Sequence, residues 1–283
     1  MFKKIFFFAA LLFIQNSNTN AADTLQLAHR FYCHWGYNRS FYSNSNVHLK
    51  GDNFDLRFYQ LKARDKPYPF NLKNYVNPTS ITVAQYDYRI GYYLNNHVAI
   101  SIGLDHMKYV VDRSQTAVVS GNTAKANFPE QSKFPSSFEG TSMPLNGFMY
   151  LDHTNGLNLI SLDIDYRTKI YQHKKIELAL KSGFGIAEMV TKSELHLMGY
   201  GIDNEFNLCG FGVSSYQGVE LTIGKYFFIR PQLRMGWIDL TGFLLNGRYD
   251  SGRGYQNFAF VEGMIVAGSY FNIKCKKTKS IKL

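Results

Sequence analysis

After residue 14 the sequence has no apolar run approaching the roughly 20 residues that a helix needs to span a bilayer. That excludes an α-helical membrane protein. Cysteine is nearly absent: Cys33, Cys209 and Cys275 form an odd and widely spaced set that suits neither a disulfide framework nor a zinc motif, so they read as free thiols with at most one chance bridge. Phosphate loops are missing too. Gly183-Phe184-Gly185 and Gly199-Tyr200-Gly201 are followed by no Gly-Lys-Ser/Thr and open no helical pattern. Acid is scarcer than base, with 21 Asp and Glu against 31 Lys and Arg and a formal charge of +10. The excess gathers in a tail, Lys274, Lys276, Lys277, Lys279 and Lys282, and no basic groove with interleaved aromatics and no helix-turn-helix accompanies it, so nucleic acid is not an expected partner.

What is present begins with an export signal. Lys3 and Lys4 precede ten apolar residues, Ile5 to Ile14, then polar Gln15 to Asn20 and the small pair Ala21-Ala22. A basic start, a short apolar stretch and a small-residue site mark a cleavable signal peptide over residues 1–22. About 260 residues remain, enough for one large all-β domain, placed at 23–272, with 273–283 as a basic C-terminal tail. Aromatic residues make up 16% of the chain, more than a soluble core of this size needs.

Those aromatics sit in stretches of strict period-two alternation, the pattern of a strand with two different faces. Eight stretches stand out, at about 25–38, 81–93, 97–110, 156–168, 176–188, 211–223, 226–239 and 256–271. The fourth is typical: Ile160, Leu162, Ile164 and Tyr166 oppose Ser161, Asp163, Asp165 and Arg167. In the first, Leu25, Leu27, Phe31, Cys33, Trp35 and Tyr37 share the apolar face, and in the seventh Pro231 interrupts it and suggests a bulge. The eighth is apolar on both faces; placing Val261 and Ile265 outward and Glu262 and Tyr270 inward keeps the carboxylate out of an apolar environment. Short connections (94–97, 170–175, 224–225) alternate with long ones (39–80, 111–155, 189–210, 240–255), and aromatics such as Tyr92, Tyr166, Tyr171, Phe227, Trp237 and Phe271 gather at stretch ends. Both are marks of a transmembrane β-barrel with short turns on one side, long loops on the other and aromatic girdles between.

The expected fold is therefore all-β, a closed antiparallel up-and-down transmembrane barrel of eight strands. Ten remain open as an alternative, because Asn53 to Lys62 in the first long loop is itself strand-like behind a turn at Gly51-Asp52. An eight-stranded interior is just wide enough for side chains to fill. The polar faces supply Asp87, Asp105, Asp163, Asp165, Glu177, Glu220 and Glu262 against Arg30, Arg89, Arg167, Lys181, Arg230 and Arg234, so ion pairs across the lumen and a non-conducting interior are expected. A soluble secreted ligand-binding sandwich or calycin-like barrel is the competing reading; it would turn the apolar faces inward and the charges out.

With its signal peptide, eight amphipathic stretches, the turn Gly91-Tyr92-Tyr93-Leu94-Asn95-Asn96-His97 and the aromatic close at Tyr270-Phe271, the chain resembles the small outer-membrane β-barrel proteins of Gram-negative bacteria. The resemblance implies a place in the outer membrane after signal cleavage, contact with its lipid and lipopolysaccharide, and assembly by the barrel-assembly machinery, which reads an aromatic at the end of the last strand. Here a basic tail follows that aromatic, a departure from the usual pattern. The resemblance implies no cofactor, and because some barrels of this size acylate or deacylate lipid A, it leaves an enzyme open beside a binding or envelope-integrity role.

For chemistry the sequence offers Asp105-His106 and Asp152-His153, which flank the second long loop. A histidine beside carboxylates suits a divalent metal or a base with its orienter. His106 lies about nine residues above its short turn and His153 about sixteen, so at about 3.3 Å per residue the two meet only if the loop folds back. Ser182, the nearest serine considered as a nucleophile, lies two strands away from His106. No metal is assigned. Loops 39–80 and 111–155 are the expected seats of a surface ligand, the second because more than forty residues of loop are unusual without purpose.

Overall fold

The computed structural model describes residues 25–69, 71, 85–203, 205–245 and 252–273. The proposed signal peptide and nearly all of the basic tail, Cys275 included, lie outside the described residues. In chain order the strands are β1 (Phe31–Tyr42), β2 (Ser45–Gly51), β3 (Phe54–Leu61), β4 (Ala63–Arg64), β5 (Tyr86–Tyr93), β6 (Val98–Met107), β7 (Val110–Val111), β8 (Thr116–Asn122), β9 (Ser137–Pro144), β10 (Met149–His173), β11 (Ile176–Leu197), β12 (Tyr200–Asp203), β13 (Asn207–Ile223), β14 (Phe227–Leu244) and β15 (Arg253–Phe271).

Eight of them pair in the antiparallel order β1-β5-β6-β10-β11-β13-β14-β15, and β15 returns to β1 over a register running from Phe31↔Phe271 to Tyr42↔Phe260. The ring is closed, so it has no free edge at that level. Each short turn is built from local chemistry. Asn95 Oδ1 accepts from the N–H groups of His97 and Val98 at 2.8 Å, and Gly224 takes a left-handed φ of 68° between β13 and β14.

Around the ring the apolar faces point outward. Ile102 is 54% exposed, Ile164 62%, Phe184 59% and Ile265 64%, while Asp87, Asp163, Glu220, Arg230 and Arg234 are wholly buried within the cylinder. That rules out the sandwich with an apolar interior and gives a transmembrane barrel. Its lower rim carries Phe31 against Tyr92 and Phe271, with exposed Tyr226 and Phe227. Its upper rim carries the ring pair Phe211 and Trp237.

Two expectations change in detail. Leu25 and Leu27 do not continue the first strand. A turn at Ala28-His29, closed by Arg30 N–H donating to Leu27 C=O, folds them under the barrel, where they pack with Tyr32, Tyr93, Phe228 and Tyr270. Burying two leucines against four rings outweighs extending an unpaired strand end. Pro231 makes no bulge: it pairs with Ile265 in register, and the β13–β14 ladder resumes in step at Leu221↔Ile229 after Gly218↔Gln232.

Above the upper rim the chain does not dissolve into loops. β10 has 25 residues and β11 has 22, where about 9–11 suffice to cross the membrane. There β15 exchanges β1 for β2, at Tyr255↔His48, and β2, β3, β8 and β9 continue the sheet outward. The described parts of the two long loops, within 39–69 and 111–155, thus contribute a folded lobe instead of additional barrel strands. Its interior is apolar, drawing on Leu49, Leu56, Phe58, Val119, Phe138, Phe148 and Leu151 together with Leu157, Ile238, Phe243 and Phe258 from the barrel strands.

Candidate binding lobe above a sealed interior

The inward side chains lie in two tiers. In the lower one Glu220 accepts from Arg167 Nε at 2.8 Å, from Arg230 Nη1 at 2.9 Å and from the Tyr270 hydroxyl. Arg167 also reaches Glu177 at 2.7 Å. Asp165 takes Lys181 Nζ at 3.3 Å and the hydroxyls of Tyr216 (2.7 Å) and Tyr32. Arg30 sits at the rim, donating to the Tyr270 carbonyl at 3.1 Å with its guanidinium over the Tyr226 ring.

The upper tier centres on two arginines. Arg89 contacts Asp163 directly and lies 3.8 Å from both Asp87 and Asp105. Arg234 reaches Asp105 at 3.3 Å and Asp163 at 3.4 Å. His34 donates to Asp87 through Nε2 and accepts from Arg230 through Nδ1, linking the tiers. Glu262 accepts from Ser40 at 3.2 Å. Inward glycines make the space: a Cβ on Gly103 would run into the Arg89 guanidinium, and one on Gly183 into the Tyr216 ring. The tyrosine hydroxyls and His34 were legible only as members of the polar faces; pairing roles for them follow from the geometry.

Both ends of this ionic column are closed by apolar packing. Below stand Leu25 and Leu27 with their rings; above, Leu159, Met107 and Phe260 follow directly on Ser161, Asp105 and Glu262 along the same inward columns, and Ile238 follows Arg234 after Gly236. Along this column the inward side chains pack against one another, and its arginines are held by carboxylates.

The four candidate reactive residues fall on separate bonding systems. Asp105 is an ion-pair partner inside the barrel. His106 donates through Nδ1 to Asn158 Oδ1 at 2.7 Å and stacks on Tyr86. Asp152 accepts from the Tyr150 hydroxyl and from Thr154, whose Oγ1 lies 3.1 Å away. His153 lies in the lobe core, where its Nδ1 accepts from Ser193 Oγ at 2.7 Å and its Nε2 donates to Gln256 Oε1 at 3.1 Å. Gln256 then donates to the Tyr109 hydroxyl at 2.6 Å and to Ser45 at 3.0 Å. Ser193 and Gln256 are residues that the sequence did not single out; nothing in the spacing of Asp152-His153 points to β11 or β15. A serine donating to an imidazole whose other nitrogen is oriented has the outline of a nucleophile and base. Both are buried, and Phe243 and Tyr109 close on the ring. Burial also lowers the pKa of His153, which favours the neutral ring that this bonding pattern requires.

No family model matches the chain, and no curated protein matches it significantly. Among solved structures it is similar to the outer membrane protein AlkL in lipid bilayers, at 11% identity over 93% of this chain and 100% of that one, with a TM-score of 0.42. It is also similar to OprG from Pseudomonas aeruginosa, at 9% identity over 87% and 97% with a TM-score of 0.42. Ail of Yersinia pestis, solved with the heparin analogue sucrose octasulfate, is 8% identical over 86% and 99% with a TM-score of 0.32. By its closed ring, outward apolar belt and buried charges the present chain has the fold of a small transmembrane β-barrel.

Proposed function

We propose that the chain stands in the outer membrane as a non-conducting barrel whose work is done by the lobe: it binds a surface ligand outside the outer leaflet. Assembly by the barrel-assembly machinery and contact with lipopolysaccharide belong to the same reading. The observation that carries it is the double seal, an ionic column capped above and below by apolar packing, beneath a lobe too well packed to be a disordered loop. A channel would leave its charges in water; here they are spent on one another. Planar-bilayer recording tests this. Purified, heat-modifiable protein is expected to insert without steady current, and a large steady conductance would overturn the reading.

The second reading is lipid A acyl chemistry, favoured by the Ser193–His153–Gln256 arrangement. Mass spectrometry of lipid A from cells carrying the wild type, Ser193→Ala or no copy of the gene decides between the two. Identical acylation in all three is expected; a change seen with the wild type and abolished in Ser193→Ala would establish the enzyme.

A further inference from the structure

The outer wall of the lobe contains a groove of about 520 Å³ on β14, β15, β2 and β3. It forms where β15 leaves β1 for β2, so the sheet curls away from the barrel and a concavity opens. Two rungs of outward side chains cross it. In the lower rung Asp239 pairs with Asn257, and Asn257 with Asn46. In the upper rung Tyr255 pairs with His48, and His48 with Arg57. Tyr59 flanks them, and Tyr59 and Tyr255 are 36% and 39% exposed.

The chemistry of this set is specific. A carboxylate, the Asn257 amide and the Asn46 amide, whose Oδ1 already accepts from the Gln60 N–H at 2.9 Å, stand side by side at the spacing of a strand ladder, a set of donors and acceptors that suits vicinal hydroxyls. Exposed tyrosine faces beside them suit the C–H face of a sugar ring. His48 is held by Asp55 at 2.9 Å and lies 5.6 Å from Tyr255 ring to ring, so the aromatic end is ordered before any ligand arrives.

The position selects the source of the sugar. Asp239 is two residues above Trp237, which with Phe211 forms the upper girdle, so the groove opens sideways at the height where lipid headgroups stand. From this geometry we infer that the groove holds a pyranose ring from the headgroup of a glycolipid in the same outer leaflet. The inference rests on the reading of the lobe as the binding element and gives that element a ligand class.

The test uses the full-length protein in nanodiscs and saturation-transfer NMR. The probe is the delipidated core oligosaccharide of rough lipopolysaccharide, with glycerophosphoglycerol as a lipid headgroup fragment that has no pyranose ring. Transfer to the core oligosaccharide and not to glycerophosphoglycerol is expected. Tyr255→Ala and Asp239→Asn should each weaken binding about tenfold. Both positions are on the surface, so heat-modifiable migration should stay normal, and Lys133→Ala, remote in the lobe, should bind as the wild type does. Absence of transfer in the wild type, equal transfer to glycerophosphoglycerol, or binding unaffected in both groove variants would each overturn the inference. Failure here with a silent bilayer recording removes the sugar site and leaves the sealed barrel, whereas a steady current removes the reading beneath it.

Discussion

The barrel and the lobe share strands, β10, β11, β14 and β15 among them, yet solve opposite solvation problems. Within the belt β10 turns Ile160, Leu162 and Ile164 outward and Ser161, Asp163 and Asp165 inward; a few residues higher the same strand turns Leu157 and Leu159 inward and Asn158 outward. Surrounded by hydrocarbon, a strand must hide its charges in the cylinder, and surrounded by water it must hide its hydrocarbon there. The point at which the phase inverts therefore marks the exit from the membrane. It recurs as adjacent apolar pairs at Leu159-Ile160, Ile186-Ala187, Trp237-Ile238 and Phe260-Val261. The strand ladders continue through both regimes, with register shifts above the exit between Glu188 and Val190, between Leu240 and Phe243 and between Asp152 and Gly156.

The sharpest way to break this contrast is to remove a central cation from the barrel. Arg89→Met strips Asp163, Asp87 and Asp105 of a shared partner at once and should destabilise the barrel by about 3–5 kcal/mol, seen as a large fall in the temperature of the heat-modifiable gel shift. The counterpart in the lobe is Phe148→Ala, which empties a site packed against Phe58, Phe134 and Phe138 at a cost of about 3–5 kcal/mol. There the barrel should keep its gel shift while limited proteolysis cuts the lobe faster. If the gel shift falls equally, the two regions unfold as one unit and the contrast is only one of composition.

A gentler comparison uses one strand. On β11, Phe184→Lys places a charge on the lipid face and should cost about 2–4 kcal/mol, whereas Glu188→Lys, four residues higher on the same outward face, should stay within about 0.5 kcal/mol. Unfolding in detergent micelles reads both. Equal costs would move the membrane boundary away from the phase inversion.

How much of this was legible follows from the same inversion. The eight amphipathic stretches were readable because alternation with apolar residues outward persists for most of the membrane thickness, and the parity of Asp163, Arg230 or Glu262 follows from it. The lobe was not readable as a core. Its strands invert the phase, so reading for one constant phase ends each strand near the exit, at about 156 in β10 and 188 in β11, although those strands run on to Met149 and Leu197. The apolar residues on both faces of the last stretch were the visible trace of the inversion, since Phe258 and Phe260 belong to the lobe core and Val261 and Ile265 to the lipid face. Leu25 and Leu27 kept the parity of the first strand while leaving its path, because His29 adopts φ 62° and reverses the chain. The bonding of His153 to Ser193 and Gln256 joins positions 40 and 103 residues apart, which no local spacing encodes.

The smallest expected effect concerns that histidine. His153 is wholly buried in the lobe, and loss of solvation lowers its pKa from the ordinary 6.5, against the weaker opposing pull of Gln256 and Asp152. A depressed folded-state pKa means that the unfolded chain takes up its proton first. The contribution is therefore full above pH 6.5, declines as the pH falls below that value, and levels off once the buried ring itself is protonated. In the barrel the corresponding histidine, His34, is tied to Asp87 and Arg230 within the ionic column, so the two regions should respond differently to mild acid. Limited proteolysis of the lobe from pH 8 to pH 5 should show faster cleavage toward the acid end in the wild type. In His153→Gln, which keeps a polar group without a titrating one, that pH dependence should flatten while the gel shift of the barrel stays unchanged. An unaltered slope in the variant would assign the acid sensitivity of the lobe to some other group.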